Sequence, residues 1–210
     1  MNSEEILRDL AAQINKCQNC GLAQTRKHAV PGEGPANAEI MLIGEGPGFH
    51  ENEQGRPFVG QAGKFLDELL AAGGFDRKTV FITNVVKCRP PGNRDPQPVE
   101  LEACQAYLDQ QIAAINPLII VTLGRFSMAR YFKDAKISQI HGHASWMGNR
   151  FIIPMYHPAA GLHQPKIKPT IIQDFRQLSS LVEKARQSAS AHTDKTESQD
   201  EDNATQLSFF

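Results

Sequence analysis

Four short runs of mostly apolar residues stand out from an otherwise mixed chain: 39–43, 79–83, 118–122 and 151–154. Runs of this length, rich in Ile and bounded by polar or turn-forming residues, predict strands buried on both faces. Between most of them the apolar positions recur at helical spacing. Residues 63–72 follow that spacing and stop at Gly73-Gly74. Asp95-Pro96 predicts an N-cap with proline at the first helical position, opening a helix to about Ile115. Ser3 predicts the cap of a first helix, with Glu4 and Glu5 in its first turn. Alternating strands and helices imply an α/β fold, a three-layer α/β/α sandwich around a central four-stranded, mainly parallel sheet. Ligands of such sheets bind beyond the carboxyl ends of the strands. There the chain places Gly44-Glu45-Gly46-Pro47-Gly48, then Asn84, then Gly124-Arg125, then His157-Pro158.

The pattern ends near residue 186. Residues 188–205 contain no aromatic or large aliphatic side chain and cannot offset chain entropy by burial. The expected organisation is therefore a folded domain at 1–186, a disordered acidic linker at 187–205, and an apolar peptide, QLSFF, at 206–210. The 210 residues have a net charge of −1, which excludes a uniformly basic coat. The segment from 187 onward holds five acids and one lysine, so the rest of the chain carries +3. No apolar run is long enough to cross a membrane, and the first residues lack the layout of a secretory signal. A cytoplasmic, nucleoid-associated monomer is expected.

All four cysteines fit one site. Cys17 and Cys20 form a C-x-x-C pair, and Cys88 and Cys104 follow 68 and 84 residues after Cys20. In a reducing compartment disulfides are not expected. A thioredoxin-like pair would open a helix after a strand, whereas this pair follows a helix and precedes Gly21. What remains is a metal centre, either zinc or an iron–sulfur cluster, acting as a staple between distant segments.

With these residues in view, the chain resembles the family 4 uracil-DNA glycosylases, which carry a [4Fe–4S] cluster. Five features match in order over about residues 10–180: the C-x-x-C pair, GEGPG at 44–48, GRPFVGQAG at 55–63, TNVVKCRPPGNRDP at 83–96 followed by Cys104, and YHPAA at 156–160. The resemblance favours iron–sulfur over zinc, with Cys17, Cys20, Cys88 and Cys104 as ligands. It implies an enzyme that flips uracil out of DNA and hydrolyses its N-glycosidic bond, leaving an abasic site for base excision repair. A related group captures DNA covalently through a histidine in an inserted basic loop, but no such insert follows Cys88.

The resemblance also assigns roles. Asn84 reads the base, since an amide can donate to uracil O4 and accept from N3–H, whereas cytosine presents the reverse. Phe58 is the stacking platform, and His157 stabilises the leaving anion at O2. Gly44, Glu45 and Gly46 occupy the water-handling motif. The best-known relatives have an aspartate where this chain has Gly46, which leaves Glu45 or backbone groups to place the water. Glu51 is expected to crowd the thymine methyl. Arg89, Arg94, Arg125, Lys166 and Lys168 are candidate phosphate contacts, and Leu162 is a candidate wedge for the gap left by the flipped base. Gln206, Leu207, Phe209 and Phe210 resemble the pentapeptide by which bacterial proteins bind the DNA sliding clamp. The alternative is a non-catalytic iron–sulfur protein on the same fold that binds nucleic acid or senses redox state. The presence of Asn84, Phe58 and His157 together weighs against it.

Overall fold

Successive side chains along each strand are shared between two helical layers. In the computed structural model β1 (Ile40–Gly44) turns Ile40 and Leu42 toward one core cluster and Met41 and Ile43 toward another. The sheet has five strands in the order β2 (Phe81–Asn84), β1, β3 (Ile119–Leu123), β5 (Arg150–Met155) and β4 (Ser145–Met147). The first four are mutually parallel, and β4 pairs antiparallel with β5. The sequence predicts four strands. The fifth, β4, is a three-residue edge strand of a hairpin, joined to β5 through Gly148 at φ 68° and stiffened by Trp146 packing edge-on against Phe151. Residues 1–188 are described. All of QLSFF, and the expected disordered linker from residue 189 onward, lie outside the described residues.

Helices α1 (Ser3–Lys16), α4 (Pro98–Ile115) and α5 (Arg125–Ala129) cover the face that includes Met41 and Ile43. Helices α3 (Gln61–Ala72) and α8 (Lys168–Arg176) cover the other, with Phe65, Leu66, Leu69, Ile171 and Phe175 at 3% exposure or less. Between these lie α2 (Phe49–Gln54), α6 (Ile137–Ile140) and α7 (Pro158–His163). Residues 178–188 are helical and add Leu178, Val182 and Ala185 to the same core. Among the described residues no helix is long and apolar enough to cross a membrane.

Two helix starts differ from expectation. Asn2, not Ser3, caps α1, through a reciprocal pair in which the Glu5 amide donates to Asn2 Oδ1 and the Asn2 amide to Glu5 Oε2. Helix α4 starts at Pro98 rather than Pro96, with Gln97 as its cap. Either proline suits a first helical position. The choice falls to Glu100, whose carboxylate accepts from the Gln97 amide at 2.8 Å and is clamped by both terminal nitrogens of Arg94. Asp95 is left free to pair with Arg125.

Candidate active site and thiol cavity

The carboxyl ends of the parallel strands meet at one edge, and a cavity of about 370 Å³ opens there. Its walls include Glu45, Gly46, Glu51, Phe58, Asn84 and His157. Gly44 faces Asn84 across the β1–β2 ladder. A Cβ on Gly44 would lie 2.4 Å from Asn84 Oδ1 and 2.7 Å from the Phe58 ring, so only glycine admits both side chains. At Gly46 a Cβ would meet Val86 at 2.7 Å, so a side chain there would require movement. The carboxylate on this wall is instead that of Glu45. Burial holds its pKa above the ordinary value, with nearby Asp95 adding to the rise and Arg125 opposing it.

Asn84 is 1% exposed, and its Oδ1 has no hydrogen-bond partner. A buried amide oxygen left unpaired costs about 1–3 kcal/mol, so it marks a place where a donor is expected. Phe58 is 6% exposed and sits at φ 49°, an unfavourable conformation for a bulky side chain. Arg77 holds it there, donating to the carbonyls of Pro57 at 2.5 Å and Phe58 at 3.0 Å, while Glu33 and Asp67 anchor the guanidinium. Glu51 accepts from the amides of Gly48, Val59 and Gly60, tying the loop after β1 to the loop that presents Phe58. Both of its oxygens are thus engaged by backbone.

His157 caps α7. Its Nδ1 accepts from the Ala159 amide at 3.1 Å, which places the ring proton of the neutral form on Nε2. Burial pushes its pKa down to about 4, with Glu51 opposing, so the ring is neutral at pH 7. The ring stacks on Phe58 at 5.6 Å between centroids and 28° between planes.

Of the candidate DNA contacts, one, Arg94, is among the residues that line the cavity, but its guanidinium is committed to Glu100, and Arg125 is paired with Asp95. Arg89 donates to Asn93 and lies 5.3 Å from the Phe49 ring. Lys166 is exposed, and Lys168 lies over the Phe65 ring. Leu162 is 41% exposed, next to His163 on the cavity wall. Phe49, 53% exposed at the start of α2, is an aromatic beside the mouth that sequence reading missed. Its signal was an apolar residue directly after the GEGPG turn.

Behind β2 the four cysteines line one cavity with Ile14, Ala23, Arg26, Lys87 and Tyr107. Arg26 donates to Cys88 Sγ at 3.1 Å, and the Asn19 amide to Cys17 Sγ at 3.4 Å. Burial pushes the Cys88 thiol upward and the Cys104 thiol up to about 11. Such thiols stay protonated unless a cation takes the proton's place. Among the described residues no group of three or more His, Cys, Asp or Glu side chains is gathered as a site for a single metal ion. Lys87, also on this wall, is a buried lysine whose pKa burial pushes down to about 7, and sequence reading did not single it out.

Comparison with known proteins adds one family match and three relatives. The family model for the uracil DNA glycosylase superfamily matches residues 31–177. A Type-4 uracil-DNA glycosylase of Saccharolobus solfataricus is 48% identical over 183 residues, covering 82% of this chain and 85% of that protein. The Type-4 uracil-DNA glycosylase of Thermotoga maritima is 40% identical, covering 86% and 97%, and a Type-5 uracil-DNA glycosylase of Thermus thermophilus is 33% identical, covering 61% and 68%.

Proposed function

The chain belongs to the uracil DNA glycosylase superfamily, and on that premise we propose that it flips uracil out of DNA and hydrolyses the N-glycosidic bond, releasing free uracil and leaving an abasic site. The observation that carries this reading is the buried, unpartnered Oδ1 of Asn84 beside Phe58 and His157. Uracil supplies what the cavity lacks: its N3–H donates to Oδ1 and its O4 accepts from the amide nitrogen. Cytosine has no N3–H and offers a donor where uracil has O4, so both contacts fail. Phe58 gives the extruded ring a flat face, worth roughly 1–3 kcal/mol per stacked base. As the bond breaks, negative charge develops on the base. The Nε2–H of neutral His157 donates to O2, an interaction worth about 2.7–4 kcal/mol in the transition state. Glu45 is the carboxylate that orients the attacking water. Leu162 fills the vacated stack, and Arg89, Lys166 and Lys168 meet phosphates, joined by Arg94 and Arg125 where DNA draws them from their carboxylates.

The four thiols fit a [4Fe–4S] cluster. They come from three separated segments and line one cavity together with Arg26 and Lys87. A bound cluster would supply a cross-link there. A partner is proposed from sequence alone: Gln206, Leu207, Phe209 and Phe210 bind the bacterial sliding clamp. A C-terminal peptide that fails to bind the clamp at ~100 μM overturns that proposal.

The test is incubation of the purified protein with a uracil-containing oligonucleotide, followed by alkali. Strand scission at uracil and none at cytosine is the expected outcome, and no scission at either overturns the proposal. Asn84→Asp should lower uracil excision by roughly 10–100-fold, because a carboxylate cannot donate to O4.

A further inference from the structure

We propose that Lys87 is a positioning residue for base recognition: its ammonium fixes the peptide that presents Asn84, and α4 in turn fixes the ammonium. The proposal rests on the reading of Asn84 given above. Lys87 is 1% exposed. Its Nζ donates to Thr83 Oγ1 at 2.6 Å, to the Asn84 carbonyl at 2.8 Å and to Gln111 Oε1 at 2.7 Å. An ammonium has three protons, and all three are placed. The network closes behind them: Thr83 Oγ1 and Gln111 Nε2 both donate to the Pro31 carbonyl, at 2.9 and 2.8 Å. Among the described residues, the bond from Nζ is the one hydrogen bond that another side chain makes to Asn84, whose own Oδ1 is unpartnered.

Two facts make this more than packing. A buried cation held by neutral acceptors costs stability that an apolar residue of similar length would not. A lysine kept there at that cost offers directed donors, and one of them ends on the residue that reads the base. Gln111 also lies two helical turns after Cys104 on the buried side of α4. The helix that brings a thiol to the cavity therefore also holds the ammonium, so the thiol site and the reader share one rigid support.

A double-mutant cycle on the full iron-loaded protein separates positioning from bulk stability. Wild type, Lys87→Met, Asn84→Ala and the double variant are compared by single-turnover uracil excision at saturating oligonucleotide, with iron content and melting temperature measured on each. Lys87→Met should lower the rate about tenfold or more, the scale of losing one hydrogen bond to a charged donor, with iron content unchanged. In the Asn84→Ala background the same change should cost less than about twofold, because the residue it positions is gone. An unchanged rate in Lys87→Met overturns the proposal. So does an equal loss in both backgrounds, the signature of a purely structural role. If Lys87→Met yields no iron-loaded protein, Gln111→Leu takes its place in the cycle, with about a threefold loss and the same non-additivity expected, and additivity again overturns the proposal. Absence of excision by the wild type overturns the uracil reading itself, a different outcome from additivity in an active enzyme.

Discussion

His157 is prepared for its proposed role by a bond that leaves Nε2 free. Capping α7 through Nδ1 fixes the tautomer, and burial keeps the ring uncharged down to about pH 4. His157→Ala should lower single-turnover excision by roughly 10²–10³ with DNA affinity little changed. The same shift fixes the sign of a pH effect. An unfolded histidine titrates near 6.5. Between there and about 4 the unfolded chain holds the proton and the folded chain does not, so His157 contributes stability above pH 6.5 that is lost as pH falls through that window. Denaturant melts of wild type and His157→Gln from pH 7 to pH 4 should show the steeper decline in wild type. In the rate profile Glu45, whose pKa lies above its ordinary 4.5, protonates before His157 and sets the acid limb. Glu45→Gln should therefore be slow and flat across that limb. The residues proposed to touch the base were legible in sequence because they sit in Gly- and Pro-marked turns at strand ends. Arg77 and Lys87 were not, because their roles depend on partners brought in by other elements, Glu33 and the Pro57 and Phe58 carbonyls for Arg77 and Gln111 for Lys87.

At the level of elements, the loop presenting Phe58 and helix α3 are fitted by a contact that only glycine permits. A Cβ on Gly63 would stand 1.9 Å from the Phe58 carbonyl oxygen and 3.0 Å from its Cα. The helix thus lies directly against the strained backbone of Phe58, with Arg77 holding the other side. Gly63→Ala must push the two apart, at a cost of about 1–3 kcal/mol if the protein still folds. Melting temperature and excision rate should fall together, the rate by tenfold or more, because the stacking face moves with the helix. A lowered melting point with an unchanged rate would show that Phe58 tolerates the shift. The motif containing Phe58 was visible in sequence, but the reason for its spacing was not, since it lies in the close approach of two backbones. The element boundaries show the same limit. The buried parallel strands announce themselves by continuous apolar runs. The edge strand β4 does not, because three half-buried residues make no run and its signal is only the Gly148-Asn149 turn. At α4 two prolines competed for one position, and the choice depended on Glu100, three residues after the Gln97 cap.

Over the whole molecule, the thiol cavity joins what the sheet alone leaves loose. Cys17 and Cys20 follow α1, Cys88 lies just beyond β2, and Cys104 is in the second turn of α4. Helix α1 packs chiefly on α4, with Leu7 against the cluster that holds Met41 and Ile43, and Ile14 in the small cluster that holds Leu22, Val86 and the two buried cysteines. A cross-link at that cluster would act on the attachment of the N-terminal segment and on the ends of β2 and α4 together. The purified protein should be brown, with broad absorbance near about 400 nm and close to four irons per chain. Stoichiometric zinc without iron after anaerobic preparation would overturn the cluster proposal. Cys88→Ser should lose iron and soluble yield together, since its thiol sits one residue from Lys87 and accepts from Arg26. Oxidative removal of iron from the wild type should lower the melting temperature and increase proteolysis near residues 17–30. If uracil excision survives removal while the melting temperature falls, the centre is a staple alone. If excision falls in step with iron while the fold holds, the support that α4 gives to Lys87 and Asn84 extends through the thiol site.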